Sequence, residues 1–266
     1  MSDLFKAGPH APEGGHWYQR DGTPVFTVKG AKDQDVTPDI RHARKLGLFP
    51  GITTIIKESN KPALNIWIQR QVLLAALTLP RNPGEDDETF IARVMRDSGE
   101  TARIARDGGT EIHAAVQQFY TNGQVVPGYE EHVAGISLFL LERLGPQQWV
   151  PERPLAHPMG FGTKIDLYSN NWLIDFKSKD GDQASLGGEK LYDEHHMQLA
   201  AGSATLSYAD PHDGRRCGIV FVSRTHPGHC WMQESTHEDL ERGWDMFLTL
   251  HQYWCLRNRY NPEVWR

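Results

Sequence analysis

The stretch IDLYSNNWLIDFKSK, residues 165–179, constrains the fold more than any other part of the chain. Two apolar runs flank Asn170-Asn171, and asparagine tolerates the positive φ angles that a two-residue hairpin turn requires. The turn sets the register: Ser169 faces Trp172, Tyr168 faces Leu173, Leu167 faces Ile174, and Asp166 faces Asp175. Because strand side chains alternate, Lys177 shares the face of Asp175, while Trp172, Ile174 and Phe176 point toward a core. Directly opposed Cβ atoms lie about 4.5–5.5 Å apart. Two carboxylates at ~5 Å and an effective dielectric of ~20 repel by roughly 3 kcal/mol. A divalent cation offsets that repulsion, and hard oxygen ligands suit Mg²⁺ or Mn²⁺. A solvated face on which the aspartates pair with Lys164 and Lys177 does so too, and the hairpin alone leaves both readings open.

Along the rest of the chain, WYQRDGTPVFTV (17–28) reads as a hairpin around Asp21-Gly22. Thr37 offers a helix N-cap, with Pro38 at the first helical position and Gly47 as the stop. Residues 62–79 form a helix that carries Leu64, Trp67, Ile68, Gln71 and Leu74 along one mostly apolar side, where a core role suits Trp67 better than base stacking. A second helical run, from the acidic GEDDETF to about Arg106, is expected to break at Gly108-Gly109. Thr110 then caps a separate helix with Ile112, Val116 and Phe119 inward and His113 slightly around the wheel. One more helix spans 128–144. Strands are expected at about 149–155, 161–169 and 172–178, then a helix near 189–207, strands CGIVFVS and HCWMQES, and a helix from about Glu238 to Trp254. This order predicts an α/β fold, a central mixed sheet flanked by helices with an added N-terminal helical layer. Residues 1–46 are read as a hairpin and helix extension, and 47–266 as the main domain.

With 266 residues and 39% hydrophobic side chains, there is ample material for a packed core. No apolar run reaches the ~18–20 residues needed to cross a bilayer, and the opening MSDLFKAGPHAPEGGHW has neither a secretory apolar core nor an Arg-rich amphipathic pattern. A cytoplasmic protein is expected. Of the cysteines, Cys217 and Cys230 with His226 and His229 can in principle hold zinc; no four-thiolate site is possible with three. The net charge of −6 argues against a basic nucleic-acid coat but conceals an uneven distribution. Residues 41–110 hold eleven Lys/Arg against eight Asp/Glu, the remainder seventeen against twenty-six. Arg93, Arg96, Arg103 and Arg106 share one side if their stretch is helical, as a DNA-binding patch or as an ordinary solvated face.

The order His113, Glu152, Asp166, Asp175-Phe176-Lys177, Gln198 resembles the PD-(D/E)xK nuclease superfamily and, within it, the RecB-like exonucleases. The matching pieces are GTEIH (109–113), GTKID (162–166), DFK (175–177) and QLAAG (198–202). Upstream PGITTIIKESNKPALNIW and downstream CGIVFVSR are similar to the branch that includes the mitochondrial genome maintenance exonuclease. One departure is Gly202, where the family usually has tyrosine.

The resemblance implies a restriction-endonuclease-like core over 47–266 and a metal-dependent DNA exonuclease that works from single-stranded ends in replication, recombination or repair. With no organelle signal read in the opening residues, a bacterial or phage cytoplasmic setting is expected, with a replication or recombination protein as partner. Asp166, Asp175 and the backbone carbonyl of Phe176 would ligate Mg²⁺ or Mn²⁺, with His113 as an imidazole ligand that tilts preference toward Mn²⁺. Lys177 would orient or help deprotonate the attacking water, and Gln198 would donate to the phosphate or position Lys177. Glu152 would assist, or only pair with Arg153 or Lys164. The alternatives are a structure-specific endonuclease of the same fold and a catalytically silent subunit that binds DNA or a partner. No Gly-rich Lys-Ser/Thr phosphate loop is present, so no ATP requirement is expected.

Overall fold

The computed structural model of the protein describes residues 17–208 and 214–262. Strands β1 (Trp17–Tyr18) and β2 (Pro24–Val25) pair around the expected Asp21-Gly22 turn. Gly22 sits at φ 90°, and a Cβ there would lie 2.8 Å from the Leu155 backbone, so this turn demands glycine. A small ribbon of β3 (Val28–Lys29) and β4 (Asp35–Val36) follows.

Helix α1 (Ile40–Leu46) starts two residues later than Thr37 suggested. Asp39 is the cap, because its carboxylate accepts the N–H groups of Arg41 and His42, while the Pro38 carbonyl is taken by Trp17 Nε1 at 3.0 Å. Gly47 ends the helix at φ 67°, as expected. β5 (Phe49–Pro50) pairs with β1, and the short α2 (Ile52–Ile56) leads on.

Two helices make the added layer. α3 (Pro62–Thr78) occupies the expected span, but Leu64, Trp67, Ile68 and Leu74 remain exposed and Ala75 is its one buried residue among those described. The apolar side read as inward does not reach a core. α4 (Asp87–Asn122) is a single 36-residue helix, and the break expected at Gly108-Gly109 does not occur. Glycine weakens a helix by about 0.5–1 kcal/mol without ending it, and here it serves close approach: a Cβ on Gly109 would lie 2.4 Å from Ser178 Oγ.

After α5 (Glu130–Leu144) come β6 (Val150–His157), β7 (Phe161–Tyr168) and β8 (Trp172–Lys179), then α6 (Gln183–Gly187), α7 (Asp193–Ser207), β9 (Arg216–Ser223), β10 (Cys230–Ser235) and α8 (His237–Arg257). The five strands form one sheet in the order β10-β9-β8-β7-β6, antiparallel except that β8 and β9 run parallel, joined by a crossover through α6 and α7. Helices flank it on both faces. On one side Ile112 and Val116 of α4 and Ile136 and Leu140 of α5 pack on Trp172, Ile174 and Phe176. On the other, Leu199 and Ala200 of α7 and Leu240 of α8 pack on Leu173, Ile219 and Phe221. This is the mixed sheet with flanking helices and an N-terminal helical layer that the element order predicted.

The zinc reading fails on register. Cys217 pairs with Ser235 and Cys230 with Val222, at opposite ends of the β9–β10 hairpin. The two thiols' positions along β9, Cys217 and Val222, are five residue steps apart, about 17 Å. Among the described residues no helix is long and apolar enough to cross a membrane.

Candidate active site

β8 is the spine of the site. It pairs with β9 over its whole length, from Trp172↔Arg216 to Lys179↔Ser223, which holds Asp175, Lys177 and Lys179 in a row on one face. Its pairing with β7 is confined to Leu167↔Ile174 and Tyr168↔Leu173, the predicted register. The ladder stops where Asp166 and Asp175 would face each other. There Asp166 Oδ2 accepts the N–H of Phe176 at 2.9 Å, so a side chain replaces the main-chain partner and the strands part. The cleft beneath is lined by Asp166, Asp175, Gln198 and Gly202 and has about 10 Å³ of water-accessible space. That is room for roughly one water-sized body.

The polar groups around this cleft are tightly engaged. Lys177 Nζ lies 2.6 Å from Asp175 Oδ2 and donates to Gln198 Oε1 at 3.2 Å. Gln198 Nε2, from the buried side of α7, donates to Asp175 Oδ1 at 2.6 Å. His113 reaches in from α4: its Nδ1 is 3.5 Å from Asp166 Oδ2, and its ring meets Phe176 edge-on at 6.0 Å. His113, Asp166, Asp175, Phe176, Lys177 and Gln198 therefore come together from one helix before the sheet, two adjacent strands and the crossover helix α7 between β8 and β9.

Electrostatics sharpen the picture. Burial pushes the Asp175 carboxyl up, the neighbouring Asp166 charge adds to this, and the Lys177 ammonium opposes it. Burial acts against the Lys177 ammonium, but Asp175 and Asp166 outweigh it and raise its pKa. Lys177 stays charged at neutral pH. His195, on α7 beside this row, is driven down to about 3 by burial and by the charges of Lys177 and Lys179.

The remaining expected residues lie elsewhere or form other bonds. Arg103 is tied to Glu100 and Asp107 within α4, and Arg93 to Glu85 and the Pro80 carbonyl. Arg96 is exposed. At 1.5 Å per residue these three stand ~15–30 Å up the helix from His113. The Arg106 and Glu152 side chains lie outside the described residues; Glu152 itself sits in β6, the strand beside Asp166.

Sequence reasoning missed His195, the Gly109–Ser178 contact, and the ion pairs Lys61–Glu194 (3.4 Å) and Lys179–Glu189 (3.0 Å). Only the alternation of Lys177 and Lys179 along β8 offered a signal for any of these. Lys61 and Glu194 are joined by tertiary structure alone.

No family model and no curated protein matches the sequence. An alkaline exonuclease is among the solved structures it resembles. That protein, from Laribacter hongkongensis, is 18% identical, with 56% of this chain and 83% of the other covered at a TM-score of 0.31. A second structure, of the protein SSO0001, is 12% identical over 71% of this chain and 86% of the other at a TM-score of 0.29.

The donor types suit a hard divalent cation: the carboxylates of Asp166 and Asp175 line the cleft, and the His113 imidazole approaches Asp166 Oδ2 from α4. The buried, upshifted Asp175 next to Asp166 is a charge arrangement that a cation would relieve. Among the described residues no three His, Cys, Asp or Glu groups stand in metal-holding geometry. In this arrangement Lys177 is ion-paired with one oxygen of Asp175, Gln198 donates to the other, and Asp166 is turned to the Phe176 N–H.

Proposed function

We propose that the protein is a metal-dependent deoxyribonuclease of the PD-(D/E)xK superfamily, a RecB-like exonuclease that hydrolyses phosphodiester bonds from single-stranded ends. The observation that carries this reading is the convergence of Asp166, Asp175, Lys177 and Gln198, with His113, at the point where β7 and β8 part.

Asp166, Asp175, the Phe176 carbonyl and His113 would hold Mg²⁺ or Mn²⁺, which supplies Lewis acidity toward the scissile phosphate and lowers the pKa of bound water. Lys177 is protonated, so in this state it orients the attacking water and stabilises charge developing on the phosphorane rather than taking a proton. Gln198 is a positioning residue: its amide spans Asp175 and Lys177 and fixes their separation. A passage beneath the α3–α4 layer that admitted a single strand by its end, along Arg96, and excluded a duplex would account for exonuclease action.

The test is incubation of purified protein with linear and closed circular single-stranded DNA, with Mn²⁺, Mg²⁺ or chelator. Degradation of the linear strand alone, abolished by chelator, is expected. Rapid cutting of closed circles would instead assign an endonuclease, and no cleavage under any metal a silent binding subunit.

A further inference from the structure

Beyond Asp175 and Lys177, the same face of β8 carries Lys179, two residues or ~6.5 Å further along the strand. Helix α7 sets Glu194 and His195 beside this row, and Lys61, the N-cap residue of α3, pairs with Glu194 at 3.4 Å. Lys179 pairs with Glu189, just before α7, at 3.0 Å. His195 is held from two sides: its Nδ1 accepts the Tyr192 N–H at 3.1 Å, and its ring meets Phe221, the cross-strand neighbour of Lys177, at 6.4 Å. A neutral ring that accepts at Nδ1 carries its proton at Nε2, so the imidazole is a fixed donor there. Burial, then the charges of Lys177, Lys179 and Lys61, keep it uncharged.

We propose that Lys61, Lys179 and His195 form a second phosphate site, which holds the phosphodiester one nucleotide along the strand from the bond under attack. This rests on the nuclease reading of the cleft. The spacing favours it, because the step from Lys177 to Lys179 is on the scale of one nucleotide of an extended strand whose backbone the protein tracks. The chemistry favours it too: two ammonium groups and an uncharged N–H donor suit the single charge and two unesterified oxygens of a phosphodiester.

The carboxylates now on these lysines do not stand in the way. Both pairs are partly exposed, and pairs of that kind contribute little, so a phosphodiester can displace Glu189 and Glu194 at small cost. Lys61 also places the site at the foot of the helical layer, between that layer and the catalytic row of β8.

Single-strand binding in chelator, followed by fluorescence anisotropy, tests the site without cleavage. Lys179→Ala and Lys61→Ala should each weaken binding about tenfold, the scale of one charged hydrogen bond, and flatten the logarithmic salt slope by ~0.7. Glu189→Gln and Glu194→Gln should tighten binding, because each removes a competing carboxylate. A merely structural ion pair gives one sign from either partner, so weaker binding in all four variants, or no change in Lys179→Ala, overturns the proposal. His195→Ala should weaken binding, and His195→Gln, which keeps an amide donor, should restore part of it; equal loss in both removes His195 from the site. Strands with one methylphosphonate, placed in turn on either side of the bond cut, supply the register. At one of the two positions the wild type with Mn²⁺ should show a KM raised about tenfold and little change in kcat, while Lys179→Ala should be indifferent to the neutral linkage. Equal slowing of both proteins would overturn the assigned register. A wild type that cuts no strand would sink the nuclease reading instead, and the opposite signs in chelator would still report the phosphate site.

Discussion

Asp166 Oδ2 accepts the backbone N–H of Phe176 at 2.9 Å, a bond made at the point where the β7–β8 ladder ends. Asparagine keeps an acceptor oxygen there and removes the charge that presses on Asp175. Asp166→Asn should therefore cut nuclease activity by at least ~100-fold, the scale of losing one charge-stabilising group, while metal-free stability holds or rises. Asp175→Asn differs, because Lys177 would lose its close partner, and breaking a buried pair costs about 3–5 kcal/mol. Melting curves beside activity assays decide; equal destabilisation by both substitutions would refute the asymmetry.

Metal should reveal itself through stability. With its pKa raised in the fold, Asp175 favours the folded state fully below the ordinary 3.8, and that contribution is lost as pH rises through the folded value. Above it the carboxylate is buried and charged, so Mn²⁺ should raise the melting temperature more on the alkaline side of that transition than on the acid side. At 100 times Kd the gain is ~2.7 kcal/mol. His113→Ala should weaken Mn²⁺ binding about tenfold or more in calorimetry. An unchanged affinity would leave His113 only its packing on Phe176.

The Gly109 contact can be tested by rescue. Gly109→Ala removes a helix penalty of about 0.5–1 kcal/mol but sets a methyl 2.4 Å from Ser178 Oγ. Overpacking of ~1–3 kcal/mol should win, and both melting temperature and activity should fall. Ser178→Ala leaves Ser178 Cβ at 3.5 Å, an ordinary contact. The double substitution should thus recover what the single one loses, and failure to recover would point away from steric conflict.

Acid should destabilise the fold through two histidines remote from the cleft. Burial lowers His157 to about 4, helped by the charge of His251, and burial lowers His251 to about 4 as well. Both are neutral and stacked on phenylalanines, His157 on Phe161 at 4.7 Å and His251 on Phe247 at 6.3 Å. Depressed pKa values give stability that is complete above the ordinary 6.5 and lost as pH falls toward 4. The melting temperature should drop between pH 7 and pH 5, and His251→Leu, though less stable overall, should show a shallower drop. An equally steep fall in that variant would assign acid sensitivity elsewhere.

Among the arginines of α4, Arg96 is exposed whereas Arg93 and Arg103 already have carboxylate partners. Arg96→Ala should flatten the salt dependence of single-strand binding by ~0.7 per lost phosphate contact, and Arg103→Ala by less. The reverse ranking would mean that the ion pairs open on binding.

The hairpin of 165–179 could be read residue by residue because turn chemistry and alternation are local rules, and both observed β7–β8 pairs have the predicted partners. His113 and Gln198 needed a family resemblance to be singled out, since nothing near them in sequence says which strand they will face. Two expectations failed for a shared reason. Gly108-Gly109 looked like a helix break and Leu64, Trp67, Ile68 and Leu74 like a buried face, but in each case the deciding neighbour, or its absence, lies far away in the chain. Local periodicity reports which residues share a side, not what that side meets.

Helix α4 has one further consequence. At 36 residues it is ~54 Å long, and a single rod carries Arg96 near one end and His113 toward the other. Its two adjacent glycines are the natural place for it to flex, yet that place is pressed against Ser178 of β8. Ser178 stands where a fulcrum would: a load on the outer helices that tilted the rod would swing the imidazole relative to Asp166. Were the proposed single strand to load those helices, grip on the strand and readiness of the cleft would be mechanically one variable.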